Sequence, residues 1–187
     1  MALWPHIPNM LTVVRILLVP LTIWTLSHGD YAVAFVIFVA AGVTDGADGY
    51  IARRFKLQTE LGAYLDPLAD KFLLVSVFVT LAVMKVLPPW LAILVVTRDV
   101  LIVGAVVLAR LLEKPVVIQP VMISKVNTVA QIGLAVFLLA SLAFGEINAD
   151  LLFVANLIVA FLTVASGAVY MAKWFKHMTE QTTGEKL

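Results

Sequence analysis

Asp45-Gly46-Ala47-Asp48-Gly49-Tyr50-Ile51-Ala52-Arg53 and, eight residues further on, Gly62-Ala63-Tyr64-Leu65-Asp66-Pro67-Leu68-Ala69-Asp70 set four carboxylates into a chain that otherwise reads as membrane. Asp45 and Asp48 are three residues apart, while Gly62, Asp66 and Asp70 are spaced by four. Both spacings bring side chains to one face of an α-helix. The stretch therefore reads as two helices joined by a short turn at Arg53–Glu60. Two such helices pack antiparallel, and their carboxylate faces then converge. A carboxylate at membrane depth is costly, so four together mark a functional site.

Outward from this stretch, the 187 residues are 62% hydrophobic and only 13% charged. A soluble domain of that size cannot hide so much apolar surface. Six apolar segments can be marked, roughly Met10–Leu26, Tyr31–Ile51, Leu61–Val83, Trp90–Leu111, Val121–Phe144 and Leu151–Tyr170. Each is near the ~20 residues that a helix needs to cross a bilayer. The fold expected is an all-α integral membrane protein of six transmembrane helices, one domain over residues 1–187. No linker breaks the chain, and no internal repeat points to an inverted-repeat transporter. The first segment lacks a basic leader and a small-residue cleavage site, so it reads as a retained helix and not as a signal peptide.

Charge gives the orientation. Arg53, Arg54 and Lys56 follow segment two, Arg110 and Lys114 follow segment four, and Lys173, Lys176 and Lys186 follow segment six. The opposite ends carry His28, Asp30, Lys85, Glu146 and Asp150. The excess of basic residues on one side places both termini and the Arg53–Glu60 turn in the cytoplasm. Trp4, Trp24, Trp90 and Trp174 fall near segment ends, as an interfacial aromatic belt requires. The net charge of +1 gives no field for nucleic acid, and the absence of cysteine excludes disulfides and thiolate metal sites. With no transit segment in view, the expected compartment is a bacterial inner membrane.

Four carboxylates cannot share a small space as bare anions, so either protons or cations neutralise them. Oxygen ligands without His or Cys suit Mg²⁺, Mn²⁺ or Ca²⁺. Two such ions would clamp a pyrophosphate and assist in-line displacement at phosphorus. Arg53, at the cytoplasmic end of the face, is placed to pair with a phosphate oxygen. Gly46, Gly49 and Gly62 lower helix propensity, a cost that points to close approach of a backbone or a ligand. The plainer alternative, acids that pair internally or line a wet cavity, suits a single intramembrane Asp better than this cluster.

The run Asp45-x2-Asp48-Gly49-x2-Ala52-Arg53-x8-Gly62-x3-Asp66-x3-Asp70 resembles the signature of the CDP-alcohol phosphotransferases at every signature position. The resemblance implies six helices, a cytoplasmic site, and a CDP-linked donor held through its pyrophosphate on two divalent ions, Mg²⁺ or Mn²⁺. It implies Asp45, Asp48 and Asp66 as main metal ligands. It makes Asp70 the base that takes the acceptor's proton and a further contact to a metal. Asn9, Thr12, Gly46, Gly49, Arg53 and Gly62 would line the nucleotide, and the protein would be a homodimer.

Ile7-Pro8-Asn9-Met10-Leu11-Thr12-Val13-Val14-Arg15-Ile16 resembles the start of the glycerophospholipid-making branch, whose donor is CDP-diacylglycerol. Arg98-Asp99-Val100 and Ile123-Ser124-Lys125-Val126-Asn127-Thr128 look more like its cardiolipin-forming members than its phosphatidylglycerophosphate-forming ones. The latter more often carry Arg-Glu and Gly-Lys-x-Lys-Thr at these places. A dianionic glycerol 3-phosphate rewards clustered cations, whereas a phosphatidylglycerol monoanion tolerates one fewer. Phosphatidylglycerol is thus the preferred acceptor and glycerol 3-phosphate the alternative, with Arg98, Lys125 and Arg15 as acceptor-binding residues. Adjacent helix residues point about 100° apart, so Arg98 and Asp99 are expected to face different partners. Lys125 has the simpler option of reaching the interface. Gly104, Ala105, Gly133, Ala135, Gly167 and Ala168 are expected to seat helix contacts. His6, His28 and His177 are read as solvated or interfacial, and the Thr179–Leu187 tail as polar and mobile. A small cation transporter is the reading from another class; Arg53 beside the cluster and the lack of a repeat speak against it. A purely structural subunit would have no use for four clustered acids.

Overall fold

The structure is a computed structural model that describes the backbone of residues 7–55, 60–111, 122–145 and 148–182. Side chains are described for 14–44, 71–109, 111, 122–145, 148–176 and 179. Among the described residues there are six α-helices: α1 Ile7–Ser27, α2 Tyr31–Phe55, α3 Glu60–Val83, α4 Pro89–Leu111, α5 Met122–Phe144 and α6 Ala149–Thr182. The chain forms two compact units. One holds α1, α2, α3 and the end of α5; the other holds α4, the start of α5 and α6.

Helix ends follow from local chemistry. After α1, Gly29 takes φ 82°; its N–H reaches the Leu26 carbonyl at 3.2 Å and that of Asp30 reaches Thr25 at 2.9 Å. This double bond pattern is the Schellman cap, and glycine supplies the left-handed residue it needs. The tight reversal returns α2 along α1, and α1 packs against both α2 and α3. At the end of α3 the same cap recurs with Lys85 as the left-handed residue, φ 61°. There Lys85 N–H reaches Ala82 O and Val86 N–H reaches Leu81 O, both at 3.0 Å. Pro88 cannot prolong the helix, and Pro89 sits in the first turn of α4, where its missing N–H costs nothing. Helix α6 opens on Asn148, whose Oδ1 accepts the Leu151 N–H at 3.0 Å.

Within the first unit, Leu26, Ala34, Phe38, Leu73, Val77, Phe78 and Leu81 are buried, and Phe35 meets Phe144 edge to face at 5.4 Å. In the second, Leu91, Val95, Ala109 and Val159 are buried as α4 packs on α6. The outer faces are apolar: Val83 is 77% exposed, Phe161 72% and Val129 69%. Such a surface is untenable in water and ordinary against lipid tails. Among the described residues, three helices are long and apolar enough to cross a bilayer, over Pro89–Ala109, Met122–Phe144 and Ala149–Lys176. In α1, α2 and α3 the apolar stretches with described side chains, Val14–Ser27, Tyr31–Thr44 and Lys71–Val83, are shorter. The architecture is that of an all-helical integral membrane protein.

Two expectations need correction. The last helix does not stop at Tyr170 but continues to Thr182, so part of the supposed mobile tail is helical. Polar residues end a hydropathy pattern without ending a helix whose backbone bonds are already made. A Cβ built on Gly104 or Gly133 would meet nothing within 4 Å, so neither glycine seats a contact among the described residues. Gly167 does: a Cβ there would lie 3.6 Å from Arg98 Cγ.

Candidate functional site

The quoted carboxylate motif is helical on both sides of residues 56–59, which lie outside the described ones. Asp45, Gly46, Asp48, Gly49 and Arg53 lie in the second half of α2, and Gly62, Asp66 and Asp70 in the first half of α3. The three- and four-residue spacings therefore act on real helices, so the two aspartates of each helix share a face. Asn9 and Thr12 lie on α1, the helix that packs on both motif helices. The side chains of all these residues lie outside the described ones. The donor set itself, carboxylate oxygens at helical spacing on two consecutive helices, is the set that hard divalent cations prefer. Asp45, Asp48, Asp66 and Asp70 fit such ions by their chemistry. Arg15, also on α1, is only 4% exposed and is engaged by its surroundings.

The second unit contains a cation built into the helix packing. Arg98 on α4 is 5% exposed. Its Nη1 donates to Asp99 Oδ1 at 2.6 Å, and its Nη2 donates to Ser124 Oγ on α5 and Ser166 Oγ on α6, each at 2.5 Å. The Tyr170 ring lies 5.8 Å from the guanidinium carbon, within cation–π range. Thus Arg98 and Asp99 do pair, contrary to the expectation that they face apart. Arginine's length and planar fork let it fold back on its neighbour while its other nitrogen reaches two further helices. A bare guanidinium at this burial is costly, and the adjacent carboxylate offsets much of that cost. Arg98 Nε has no hydrogen-bond partner among the described residues. Lys125 is exposed on α5.

Sequence reasoning missed the polar seam around this node. Ser124, Asn127 and Gln131 recur on α5 at three and four residues, and Asn156, Thr163, Ser166 and Tyr170 recur on α6 at helical multiples. Thr163 Oγ1 donates to Asn127 Oδ1 at 2.9 Å and accepts from Gln131 Nε2 at 3.3 Å. Asn127, Gln131, Thr163 and Ser166 are fully buried. The available signal was periodicity: polar residues repeating on one face of an otherwise apolar helix mark a buried seam. Trp174 is half-buried, and its indole N–H donates to Ala105 O at 3.0 Å, tying α6 to α4.

Comparison with known proteins agrees with the motif. The sequence profile of the CDP-alcohol phosphatidyltransferases matches residues 5–175. A human cardiolipin synthase (CMP-forming) is 34% identical over 180 residues, taking in 88% of this chain and 60% of the human protein. The CDP-diacylglycerol–glycerol-3-phosphate 3-phosphatidyltransferase of Bacillus subtilis (strain 168) is 32% identical over 185 residues, 90% of this chain and 94% of that protein. A probable phosphatidylglycerophosphate synthase of Mycobacterium tuberculosis (strain ATCC 25618 / H37Rv) is 31% identical over 175 residues, 90% and 81% of the two chains. The chain spans about three fifths or less of the length of its human, rat and fly relatives. The match of nearly the whole sequence to one family profile, with the motif on two consecutive helices, places this chain in the CDP-alcohol phosphatidyltransferase family.

Proposed function

We propose that this protein transfers the phosphatidyl group of CDP-diacylglycerol to a hydroxyl of phosphatidylglycerol, giving cardiolipin and CMP. The observation that carries the reading is the intact carboxylate motif on the end of α2 and the start of α3. The acceptor oxygen attacks the phosphatidyl phosphorus, the bond from that phosphorus to the CMP oxygen breaks, and the acceptor proton passes to Asp70. Asp45, Asp48 and Asp66 would hold two divalent cations, Mg²⁺ or Mn²⁺. Bound there, these ions neutralise the pyrophosphate and make CMP a competent leaving group. Arg53 pairs with a phosphate oxygen, while Asn9, Thr12, Gly46, Gly49 and Gly62 line the nucleotide. Arg98, Lys125 and Arg15 receive the anionic acceptor. The six helices all cross the membrane, the site and both termini face the cytoplasm of a bacterium, and the enzyme works as a homodimer.

The relatives also support a second acceptor, because the bacterial proteins matched over most of their length are named for glycerol 3-phosphate or phosphatidylglycerophosphate. Asn127, buried and bonded to Thr163, favours the diester, since it adds no second cation beside Lys125. The test is an assay of purified protein with CDP-diacylglycerol and Mg²⁺ or Mn²⁺, offering each acceptor separately, with Asp70→Asn as control. Cardiolipin and CMP, lost in the variant, are the expected products. Phosphatidylglycerophosphate alone would keep the chemistry and replace the acceptor. Absence of donor binding would return the transporter reading.

A further inference from the structure

Two polar rungs cross between α5 and α6 within the second unit, about one helical turn apart. The first is Ser124–Arg98–Ser166, in which one guanidinium nitrogen serves a hydroxyl on each helix. The second lies three residues further along α5 and three residues back along α6. There the Thr163 hydroxyl donates to Asn127 and accepts from Gln131. A hydroxyl that donates once and accepts once from fixed carboxamides defines a position along both helices. A slide of one residue, about 1.5 Å, would break either rung. Asn127 Nδ2 and Gln131 Oε1 are buried without a partner among the described residues, so the seam keeps its register although two of its polar groups go unspent. In an apolar medium such groups would otherwise be replaced at a gain, since a half-satisfied network is worse than an apolar contact.

We infer that the Asn127–Thr163–Gln131 rung is a positioning element: it fixes the register of α5 against α6 and thereby aims the Arg98 guanidinium for the acceptor's phosphate. This rests on the reading of Arg98 as an acceptor-binding residue. Thr163 acts through Ser166, one turn along its own helix, and through Ser124, one turn from Asn127 along α5.

The test uses the full chain in detergent micelles, with CDP-diacylglycerol, Mg²⁺ and phosphatidylglycerol, or glycerol 3-phosphate if that is the acceptor used. Thr163→Val removes the hydroxyl at constant shape, and Thr163→Ser keeps it. Loss of two hydrogen bonds of ordinary strength should raise the acceptor KM roughly two- to tenfold in Thr163→Val. The CDP-diacylglycerol KM should stay put, and Thr163→Ser should restore the native values. Register is read separately. The chain has no cysteine, so Ser124→Cys with Ser166→Cys forms a single reporter pair whose hydroxyls share one nitrogen in the structure. Thr163→Val should slow its oxidative cross-linking several-fold. An unchanged cross-linking rate overturns the inference, as does a uniform fall in kcat with both KM values moved and no rescue by serine. If Arg98→Gln leaves the acceptor KM untouched, the acceptor role of Arg98 fails; cross-linking alone then decides whether the rung sets the register.

Discussion

Arg98 shows what a single residue must do to stay charged at 5% exposure. It spends one nitrogen on a neighbouring carboxylate and another on two hydroxyls from two helices. Lysine carries the same charge but has a single nitrogen on a thinner stem and cannot hold this fork. Arg98→Lys should therefore raise the acceptor KM about tenfold, the scale of one charge-assisted hydrogen bond, with the donor KM unchanged. An unaltered acceptor KM would remove Arg98 from the acceptor site. Asp99→Asn leaves the guanidinium without its counter-charge and should cost about 2–3 kcal/mol of stability in a denaturant titration in micelles. A variant as stable as the parent would show that Asp99 is not what offsets Arg98. At this scale the motif carboxylates were legible because acids are rare in apolar sequence and their spacing is helical. Ser124 and Ser166 were not, because serine in an apolar helix more often bonds back to its own carbonyls, as Ser76 does to Leu73 O at 2.8 Å. Only the folded chain brings residues 98, 124 and 166 to one point.

The helices themselves were largely readable, since an apolar run of membrane length leaves the backbone few alternatives. Their ends were less so. Helix α6 overshoots its apolar run by three turns, through Lys173, Trp174 and Lys176, because a helix already nucleated continues through residues of adequate propensity. Caps give element-scale predictions. Lys85 holds a left-handed conformation, φ 61°, that costs an L-residue roughly 1 kcal/mol relative to glycine. Lys85→Gly should recover about that amount, less what glycine loses in the unfolded chain, as a higher midpoint of unfolding in micelles. A lower midpoint would mean that the lysine side chain makes a contact worth more than the strain. At the start of α6, Asn148→Ala removes the acceptor for the Leu151 N–H and should cost about 1 kcal/mol. No change would mean that water or another group caps α6 equally well.

For the whole molecule the decisive question is which side of the membrane each connection occupies. Basic residues gather at and beyond the C-terminal ends of α2, α4 and α6, and the connections after α1, α3 and α5 carry few. If all six helices span, this alternation puts every basic connection on one side, where it meets the retaining bias of insertion. The carboxylate motif, carried by the end of α2 and the start of α3, then lies on the same side as the basic connections. The absence of native cysteine makes this directly measurable. Single cysteines at Gly29, Lys85 and Gly145 should react with an impermeant maleimide added to intact cells. Those at Lys56, Lys114 and Lys186 should react only after the membrane is opened. The three helices with shorter described apolar stretches, α1, α2 and α3, are the ones this experiment tests most sharply. If Gly29 and Lys56 labelled from the same side, α2 would not span. The motif would then sit on a re-entrant or interfacial hairpin, and an active site open to a lipid acceptor from the membrane plane would need a different entry route.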